Sequence, residues 1–395
     1  MNCLLCHKNK LIEFLNLGKQ PLANKYPKTE TAFKKEDFFQ LSVFFCTNCK
    51  NVQLGTIVSR ERMFEDYYYL SSVNPKLVRH FEQLAKKLSR AKFVVDIGSN
   101  DGILLKPLKA LGVKAVGVDP SINVGKIAND RELTTIVAFF NKESAKTIVE
   151  QYGRPDTVVA SSIFTHLENP HEFIDAVKDF VTPDGDFMIE VEYIGSIIKD
   201  VKFERFYLDR VFYYSLTSIK KLFEKHGMRI IDVEKIEPHG GSLRVTVRNK
   251  NAPGKTTERT KRLLREEVKS LTPAKLEAFR KKSESHIKAF RNKLEEYKKE
   301  NISIAGYGAP ARVATITNYG KIGPELIPFI VDDSPLKQNK WSPGMHIPIV
   351  QRGHLTKHKP EFLIVFAYEY LDDIKKKTKG GGYRYLLAIP PREIK

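Results

Sequence analysis

The feature that most limits the possible folds is a glycine turn between an apolar segment and a helix-like one, at residues 93–111. A short apolar run ends near the carboxylate of Asp96, and the turn that follows contains Gly98 and Gly102. A strand, a tight turn and a helix in this order are typical of an open α/β sheet, which binds ligands at the carboxyl ends of its strands. Glycine permits positive φ and close approach of a ligand to the backbone.

A second apolar run, at residues 115–118, ends in Asp119, and an acid at this position commonly binds ribose hydroxyls. The spacing Asp-x-Gly-x-x-x-Gly differs from the dinucleotide pattern Gly-x-Gly-x-x-Gly. It resembles the S-adenosylmethionine (SAM) loop of class I methyltransferases. The alternative is an ordinary strand-turn-helix unit without a ligand. We expect SAM to be bound by Asp96, Gly98, Asn100, Asp101, Gly102 and Asp119.

All four cysteines form Cys-x-x-Cys pairs within the first fifty residues, namely Cys3 with Cys6 and Cys46 with Cys49. Four thiolates complete a tetrahedral structural zinc site, which has no open position for chemistry. Two disulfide bonds are the alternative, which a cytosolic protein disfavours. We therefore predict structural Zn²⁺ bound by these four residues, with a small β-ribbon around them.

Strand-like and helix-like segments alternate after the glycine turn, which favours a doubly wound, mostly parallel sheet. A charged, helix-periodic region follows, which we interpret as a solvated helical pair, and a second strand-glycine-helix unit comes after it. The predicted fold class is α/β, with a second Rossmann-like α/β unit at the C-terminus. We expect a zinc-binding β-rich domain at 1–74, a class I Rossmann-like domain at 75–250, a helical linker at 251–300 and a C-terminal α/β domain at 301–395.

Several residues outside the glycine turn are candidates for the site. His166 follows the carboxyl end of a predicted strand, although a lone histidine is often structural. In the C-terminal unit the helix start suits a phosphate, and a lysine beside a glycine turn suits a pyrophosphate. For the tyrosines near residue 68, the alternative is packing at a domain junction. For the two glycines after His239, the alternative is a plain hairpin. We expect the substrate to contact Tyr68, His239, Gly240, Gly306, Tyr307, Gly308 and Lys337.

The chain is similar to the deoxysugar C-methyltransferase family, over nearly its whole length. The similarity rests on the first Cys-x-x-Cys, Tyr69-x-Ser-Ser, the glycine turn, His166, and the segments at 239–244, 306–309 and 343–349. It implies transfer of a methyl group from SAM to carbon 3 of a nucleotide-linked 4-keto sugar. Such chemistry needs a base near the carbon and donors that stabilise the enolate oxygen.

The chain departs from the family where the family has Tyr-His-Glu-His, because Tyr207-Leu208-Asp209-Arg210 stands there. The resemblance makes the second histidine the base, and arginine is a poor base. Three interpretations remain open. His166, Tyr207 or Asp209 takes the proton, or the substrate is more acidic or is methylated on an oxygen or nitrogen, or the protein binds its ligands without catalysis. We expect the reacting centre to include Tyr69, His166, Tyr207, Asp209 and Arg210.

The formal net charge of +19 raises the alternative of a nucleic-acid methyltransferase. Much of the excess lies in the helix-periodic linker, so we favour a basic surface and a small-molecule partner over nucleic acid. The N-terminus lacks the pattern of a signal peptide, and the apolar runs are too short to span a bilayer. We expect a cytoplasmic protein without a membrane partner.

Overall fold

The computed structural model describes residues 1–59 and 70–394, without the side chain of His239. The predicted site residues Tyr68 and Tyr69 lie outside the described residues, and so does the His239 side chain. Three sheets make up the described chain: one of four strands and two of seven. The predicted α/β fold class is confirmed.

The N-terminal sheet is antiparallel and includes one strand from much later in the sequence. Its order is β1-β2-β3-β9, and the second Cys-x-x-Cys pair begins at the end of β2. The β9 strand immediately follows the predicted catalytic residues, so it ties that region to the N-terminal part. The strands are β1 (Leu11–Pro21), β2 (Phe38–Cys46), β3 (Val52–Leu54) and β9 (Phe212–Tyr213).

The central sheet has the order β10-β11-β8-β7-β4-β5-β6. The five strands from β8 to β6 are parallel to one another. Strand β11 runs antiparallel to β8, and the edge strand β10 runs antiparallel to β11. From β4 the chain adds β5 and β6 on one side and then β7 and β8 on the other. Sheets of the α/β type bind ligands where the strand order reverses in this way. The strands are β4 (Phe93–Ile97), β5 (Lys114–Asp119), β6 (Thr135–Val137), β7 (Thr157–Ser161), β8 (Asp186–Glu192), β10 (Met228–Ile236) and β11 (Ser242–Asn249).

Helices connect these strands and cover the sheet. The first of them begins at a strong capping signal: the Asn74 side chain accepts hydrogen bonds from the Lys76 and Leu77 amides, and Pro75 occupies the first helical position. The helices are α1 (Pro75–Lys87), α2 (Leu105–Ala110), α3 (Ile122–Asp130), α4 (Lys142–Tyr152), α5 (Pro170–Phe180), α6 (Ile194–Asp200) and α7 (Leu216–Lys225).

Two helices follow, α8 (Glu258–Ser270) and α9 (Pro273–Lys299), separated at Thr272 as the sequence indicates. The interpretation of this pair as a solvated one is wrong for α9. Its apolar residues recur every three or four positions and so form one buried stripe, which packs with strand β1 and the C-terminal part. The buried residues are Leu276, Phe279, Ser283, Ile287, Phe290, Leu294 and Tyr297.

The C-terminal sheet has the order β14-β15-β13-β12-β16-β17-β18, with parallel strands in the middle and an antiparallel strand at each edge. Its strands are β12 (Ile304–Tyr307), β13 (Ile330–Val331), β14 (Lys340–Trp341), β15 (Pro348–Val350), β16 (Phe362–Val365), β17 (Arg384–Leu387) and β18 (Arg392–Ile394). Its helices are α10 (Arg312–Gly320), α11 (His354–His358) and α12 (Leu371–Lys377).

Among the helices of residues 1–59 and 70–394, none combines the length and the apolar character that a bilayer span requires.

Candidate functional site

A cavity of about 960 Å³ opens at the carboxyl ends of strands β4, β5, β7 and β8. Among the regions that line it are the glycine turn, the segment after β7, and the residues Tyr207, Asp209 and Arg210. The lining includes Asn24, Asp96, Gly98, Asn100, Asp119, Ile122, Phe139, Ser161, His166, Glu190, Tyr207, Asp209 and Arg210. The predicted cofactor loop and the predicted catalytic residues therefore share one cavity.

The glycine turn is built around the end of β5. Gly98 has φ of +77°, and its amide donates to the Val118 carbonyl at 2.7 Å. The Asp119 carboxylate accepts from the Asn100 amide at 2.9 Å and from the Ser121 amide at 2.9 Å. A carboxylate offers about four lone-pair sites, so Asp119 keeps acceptor capacity for ribose hydroxyls. A side chain at Gly98 would collide with Ile163, which explains the glycine.

Two of the predicted cofactor residues do not line the cavity. Asp101 is buried and accepts from the Ser72 amide at 3.3 Å and from Arg131 at 3.2 Å, because its carboxylate points away from the cavity. Gly102 has positive φ and lies against Leu133. Both residues shape the turn, and neither lines the cavity.

Asn100 and Asp101 also fasten the preceding segment to the turn. The Asn100 side chain accepts from the Ser71 amide at 2.9 Å, and the Ser72 hydroxyl donates to Asp101. Ser71 and Ser72 thus contact the glycine turn directly.

Apolar residues at the cavity were not predicted from the sequence. Ile122 is 78% exposed and Phe139 is 55% exposed, yet both line the cavity beside Asp119. Apolar side chains that are exposed together beside a cavity often mark a ligand-binding surface. The available signal was the position of Ile122, three residues after the acid of the second strand. These side chains suit the flat face of an adenine.

Acids concentrate at the ends of the central strands. Burial, followed by the nearby charges of Asp119 and Glu190, raises the pKa of Asp96 to about 8. Burial also disfavours the charge of Glu190, but hydrogen bonds from His80 at 2.9 Å and Arg244 at 2.6 Å outweigh it and keep its pKa below the usual range. This part of the cavity suits a ligand that carries positive charge, as SAM does.

His166 and Asp209 are joined through the backbone. The His166 Nδ1 atom donates to the Asp209 carbonyl, so the neutral imidazole carries its lone pair on Nε2. The Asp209 carboxylate accepts from the Asn24 amide nitrogen at 2.5 Å. Burial raises the pKa of Asp209 to about 6, against the effect of the Asn24 hydrogen bond. Asn24 was not predicted as a site residue.

The other residues of Tyr207–Arg210 have different roles. Leu208 is buried in the apolar core, where a histidine would be desolvated. Arg210 forms an ion pair with Glu192 at the end of β8, and its guanidinium lies 5.0 Å from the centre of the Tyr207 ring. Burial raises the pKa of Tyr207 above its usual value, so its phenol stays protonated.

The four cysteines meet as predicted. The Cys3 and Cys49 sulfurs are 3.5 Å apart, the Cys6 and Cys46 sulfurs are 3.6 Å apart, and all four lie within 4.8 Å of one another. A tetrahedral ion with Zn–S bonds of about 2.3 Å separates its sulfurs by about 3.8 Å. The sulfurs are too far apart for disulfide bonds. The donor set and its spacing fit Zn²⁺.

The predicted substrate residues of the C-terminal part do not line the cavity. Gly306 lies inside β12 against Ile330 and Phe366, so it serves packing. Gly308 has φ of +83° and donates to the Val331 carbonyl at 2.7 Å, and the Tyr307 hydroxyl lies 3.2 Å from Asp333. The amide of Ala309, which a phosphate would need, donates to Asp332 at 2.6 Å.

Tyr26 connects this C-terminal turn with the cavity wall. Its hydroxyl donates to the Ala309 carbonyl at 2.7 Å, and the Lys337 ammonium lies 5.6 Å from its ring centre. Burial raises the pKa of the Tyr26 phenol above its usual value. Gly240 does not line the cavity, and a side chain there would collide with Arg205.

Comparison with known families matches each part of the chain. Residues 3–64 match the family described as "Putative zinc binding domain", residues 69–233 match "Methyltransferase domain", and residues 237–390 match "C-methyltransferase C-terminal domain".

Comparison with individual proteins agrees. The chain is 30% identical to the C-methyltransferase NovU of Streptomyces niveus, over 99% of this chain and 96% of that protein. A shorter match, 26% identical, covers 29% of this chain and 38% of the mitochondrial ubiquinone biosynthesis O-methyltransferase of Arabidopsis thaliana. The magnesium protoporphyrin IX methyltransferase of Synechocystis PCC 6803 superposes with a TM-score of 0.35 at 15% identity, over 48% of this chain and 92% of that one.

The full-length relative decides the assignment, because it spans all three matched parts in one chain. The predicted methyltransferase activity and the predicted cofactors, SAM and structural zinc, are confirmed. The chain belongs to the family of SAM-dependent C-methyltransferases that join an N-terminal zinc-binding domain, a methyltransferase domain and a C-methyltransferase C-terminal domain.

Proposed function

We propose that this C-methyltransferase acts on a carbon beside the ketone of a sugar linked to a nucleoside diphosphate. One observation carries the proposal: the SAM loop lines the same cavity as His166, Tyr207 and Asp209. A base, a phenol donor and a carboxylate next to a SAM loop suit an acceptor that must lose a proton from carbon.

His166 is the proposed base. Its Nδ1 atom donates to a backbone carbonyl, which leaves Nε2 as the accepting nitrogen of the neutral ring. Arg210 is unsuited to the task because an arginine stays charged and this one is paired with Glu192. The proton of the substrate carbon moves to Nε2, and the electron pair moves toward the ketone oxygen.

Tyr207 is the proposed donor to the enolate oxygen. Its pKa is raised by burial, so it can donate a hydrogen bond but cannot serve as a base near neutral pH. The Arg210 guanidinium beside its ring adds positive potential where negative charge develops. When bound, SAM supplies a methyl group made electrophilic by its sulfonium charge.

Asp209 and the C-terminal turn are proposed to orient the substrate. Asp209, anchored by Asn24, accepts a hydrogen bond from a sugar hydroxyl above about pH 6. The Tyr26 hydroxyl donates to the Ala309 carbonyl, and the Lys337 ammonium lies 5.6 Å from the Tyr26 ring centre, so we infer that the nucleotide extends from the cavity toward these residues. Contacts from Tyr68, Tyr69, His239, Gly240 and Tyr307 stay predictions.

Exchange of the substrate's carbon-bound hydrogen tests the proton step by itself. The enzyme is incubated in D₂O with a nucleoside-diphosphate 4-keto-6-deoxyhexose and S-adenosylhomocysteine, and deuterium at the carbon is measured by NMR. We expect the His166→Gln variant to exchange at least 100-fold more slowly than the unaltered protein, since general-base catalysis contributes about 10²–10⁴-fold.

Arg210→Lys is the matched variant, because it keeps the charge that Glu192 requires. It should retain exchange within about tenfold. If the unaltered protein binds the sugar nucleotide and Arg210→Lys abolishes exchange while His166→Gln does not, the assignment of the base is contradicted. If no keto-sugar nucleotide exchanges or binds, the substrate class is wrong.

A further inference from the structure

The C-terminal sheet has its own crevice of the kind in which α/β sheets bind ligands. Another segment of the same chain fills part of this crevice. Strand β12 is flanked by β13 on one side and β16 on the other, so the chain reverses direction across the sheet there. In α/β sheets this place receives ligands. On the β16 side its walls are Arg312, at the start of α10, and the short turn Tyr368–Tyr370.

The occupant is the start of the catalytic segment, which we define as residues 203–210. The Arg205 guanidinium pairs with the Glu369 carboxylate, and the Tyr368 hydroxyl donates to Glu204 at 2.5 Å. The Thr315 hydroxyl of α10 donates to the Phe206 carbonyl at 3.0 Å. Three consecutive residues of the catalytic segment are thus held by the C-terminal domain.

Charges alternate from this crevice to the cavity. Glu369 lies between Arg205 and Arg312, whose Nη2 atom donates to it at 2.8 Å. Arg205 lies 3.7 Å from Glu192, which in turn pairs with Arg210 at the cavity. Both flanking arginines of Glu369 are less than a tenth exposed. Loss of the Glu369 charge would leave two buried guanidinium groups facing each other. Their repulsion would displace the catalytic segment.

The backbone transmits this restraint to the reacting residues. The Tyr213 hydroxyl donates to the Arg205 carbonyl at 3.0 Å and accepts from the Tyr207 amide at 3.1 Å. The positions of Arg205 and Tyr207 are therefore coupled, and Tyr207 lines the cavity.

We propose that Glu369 is a positioning residue for methyl transfer, which holds Arg205 and thereby sets the catalytic segment at the cavity. The inference rests on the proposed function of Tyr207 and Asp209. The C-terminal domain thus serves the reaction through a contact with the enzyme's own chain, in a crevice of the kind that usually binds a small molecule.

The test compares Glu369→Gln with Asp373→Asn in the full-length, zinc-loaded protein. Both substitutions remove one negative charge from the same region, but Asp373 is exposed on α12. Amide hydrogen exchange of residues 203–210, read by mass spectrometry, should be at least tenfold faster in Glu369→Gln and unchanged in Asp373→Asn. S-adenosylhomocysteine affinity, read by calorimetry, should stay within threefold in both.

Turnover separates positioning from a structural role. With a nucleoside-diphosphate 4-keto-6-deoxyhexose, Glu369→Gln should lower kcat at least tenfold with KM within threefold, and Glu369→Asp should recover most of the loss. Tyr368→Phe, which keeps all charges, should give a smaller change of the same kind. Exchange of 203–210 that stays unchanged in Glu369→Gln, or a loss of cofactor affinity equal to the loss of kcat, overturns the inference.

The two proposals fail in different ways. Absence of turnover in the unaltered protein contradicts the substrate class, whereas the exchange measurement needs no substrate and judges the positioning contact by itself.

Discussion

At the scale of single residues, Asp96 couples the cavity to pH. Its carboxyl group is buried near Asp119 and Glu190, and its pKa is raised to about 8. At pH 7 the Asp96 carboxyl group is therefore mostly protonated before SAM binds. The positive charges of SAM favour the ionised carboxylate, so binding releases this proton and the affinity rises with pH up to about 8.

Calorimetry in two buffers of different ionisation enthalpy measures this proton. We expect SAM binding at pH 7 to release close to one proton, and the Asp96→Asn variant to release almost none. Asp184→Asn, at an exposed position, should behave like the unaltered protein. Proton uptake, or release that persists in Asp96→Asn, would show that Asp96 is already ionised.

Residue identities at the site were largely predictable, but their partners were not. Asp96, Gly98, Asn100, Asp119 and His166 could be placed because each lies at or just after the carboxyl end of a strand that the sequence pattern reveals. That Arg210 pairs with Glu192 depends on how the catalytic segment packs on β8, and no local pattern encodes that contact. The same holds for Asn24, which reaches Asp209 from 185 residues away in the sequence.

At the scale of secondary-structure elements, the zinc site supports the catalytic segment through a strand pair. Val52 and Gln53 of β3 pair with Phe212 and Tyr213 of β9, directly after Arg210. Cys46 and Cys49 flank the turn that leads into β3. A structural zinc site supplies much of the folding energy of a small β-rich segment, so the metal also stabilises the position of Tyr213.

Removal of zinc should therefore disturb the catalytic segment. We expect a chelator, or Cys49→Ser, to lower the melting temperature by about 10 °C, since the lost stability amounts to several kcal/mol. Amide protection at Phe212 and Tyr213 should fall, and re-addition of zinc should restore it after chelation. A chain that carries less than one zinc atom, or that keeps its protection without zinc, contradicts this role.

Elements with strict periodicity were predictable, and irregular ones were not. The helix pair α8 and α9 and the break between them followed from apolar spacing and Thr272-Pro273. Strand β1 was not predicted, because register shifts between Glu13 and Leu15 and between Asn16 and Lys19 interrupt the alternation of its side chains. Helix α9 is buried by contacts with two sheets that are distant from it in the sequence. Its charged composition gives no indication of this burial.

At the scale of the whole molecule, three parts of the chain hold one catalytic segment. The N-terminal part contributes Asn24 and strand β3, the central sheet contributes Glu192, and the C-terminal part contributes Glu369. Phe279 of α9 lies 6.1 Å from Phe14 and 6.2 Å from Phe206, ring centre to ring centre, and so packs the same segment from a further side. All three parts of the chain therefore contact this segment.

The most direct test is a crystal structure of the zinc-loaded protein with S-adenosylhomocysteine and a nucleoside-diphosphate 4-keto-6-deoxyhexose. We predict adenine against Ile122 and Phe139, ribose at Asp119, and the sulfur atom facing the sugar between His166 and Tyr207. The nucleotide should extend past Tyr26 toward Lys337. A sugar bound outside this cavity, or a sulfur atom turned away from His166 and Tyr207, would contradict the account.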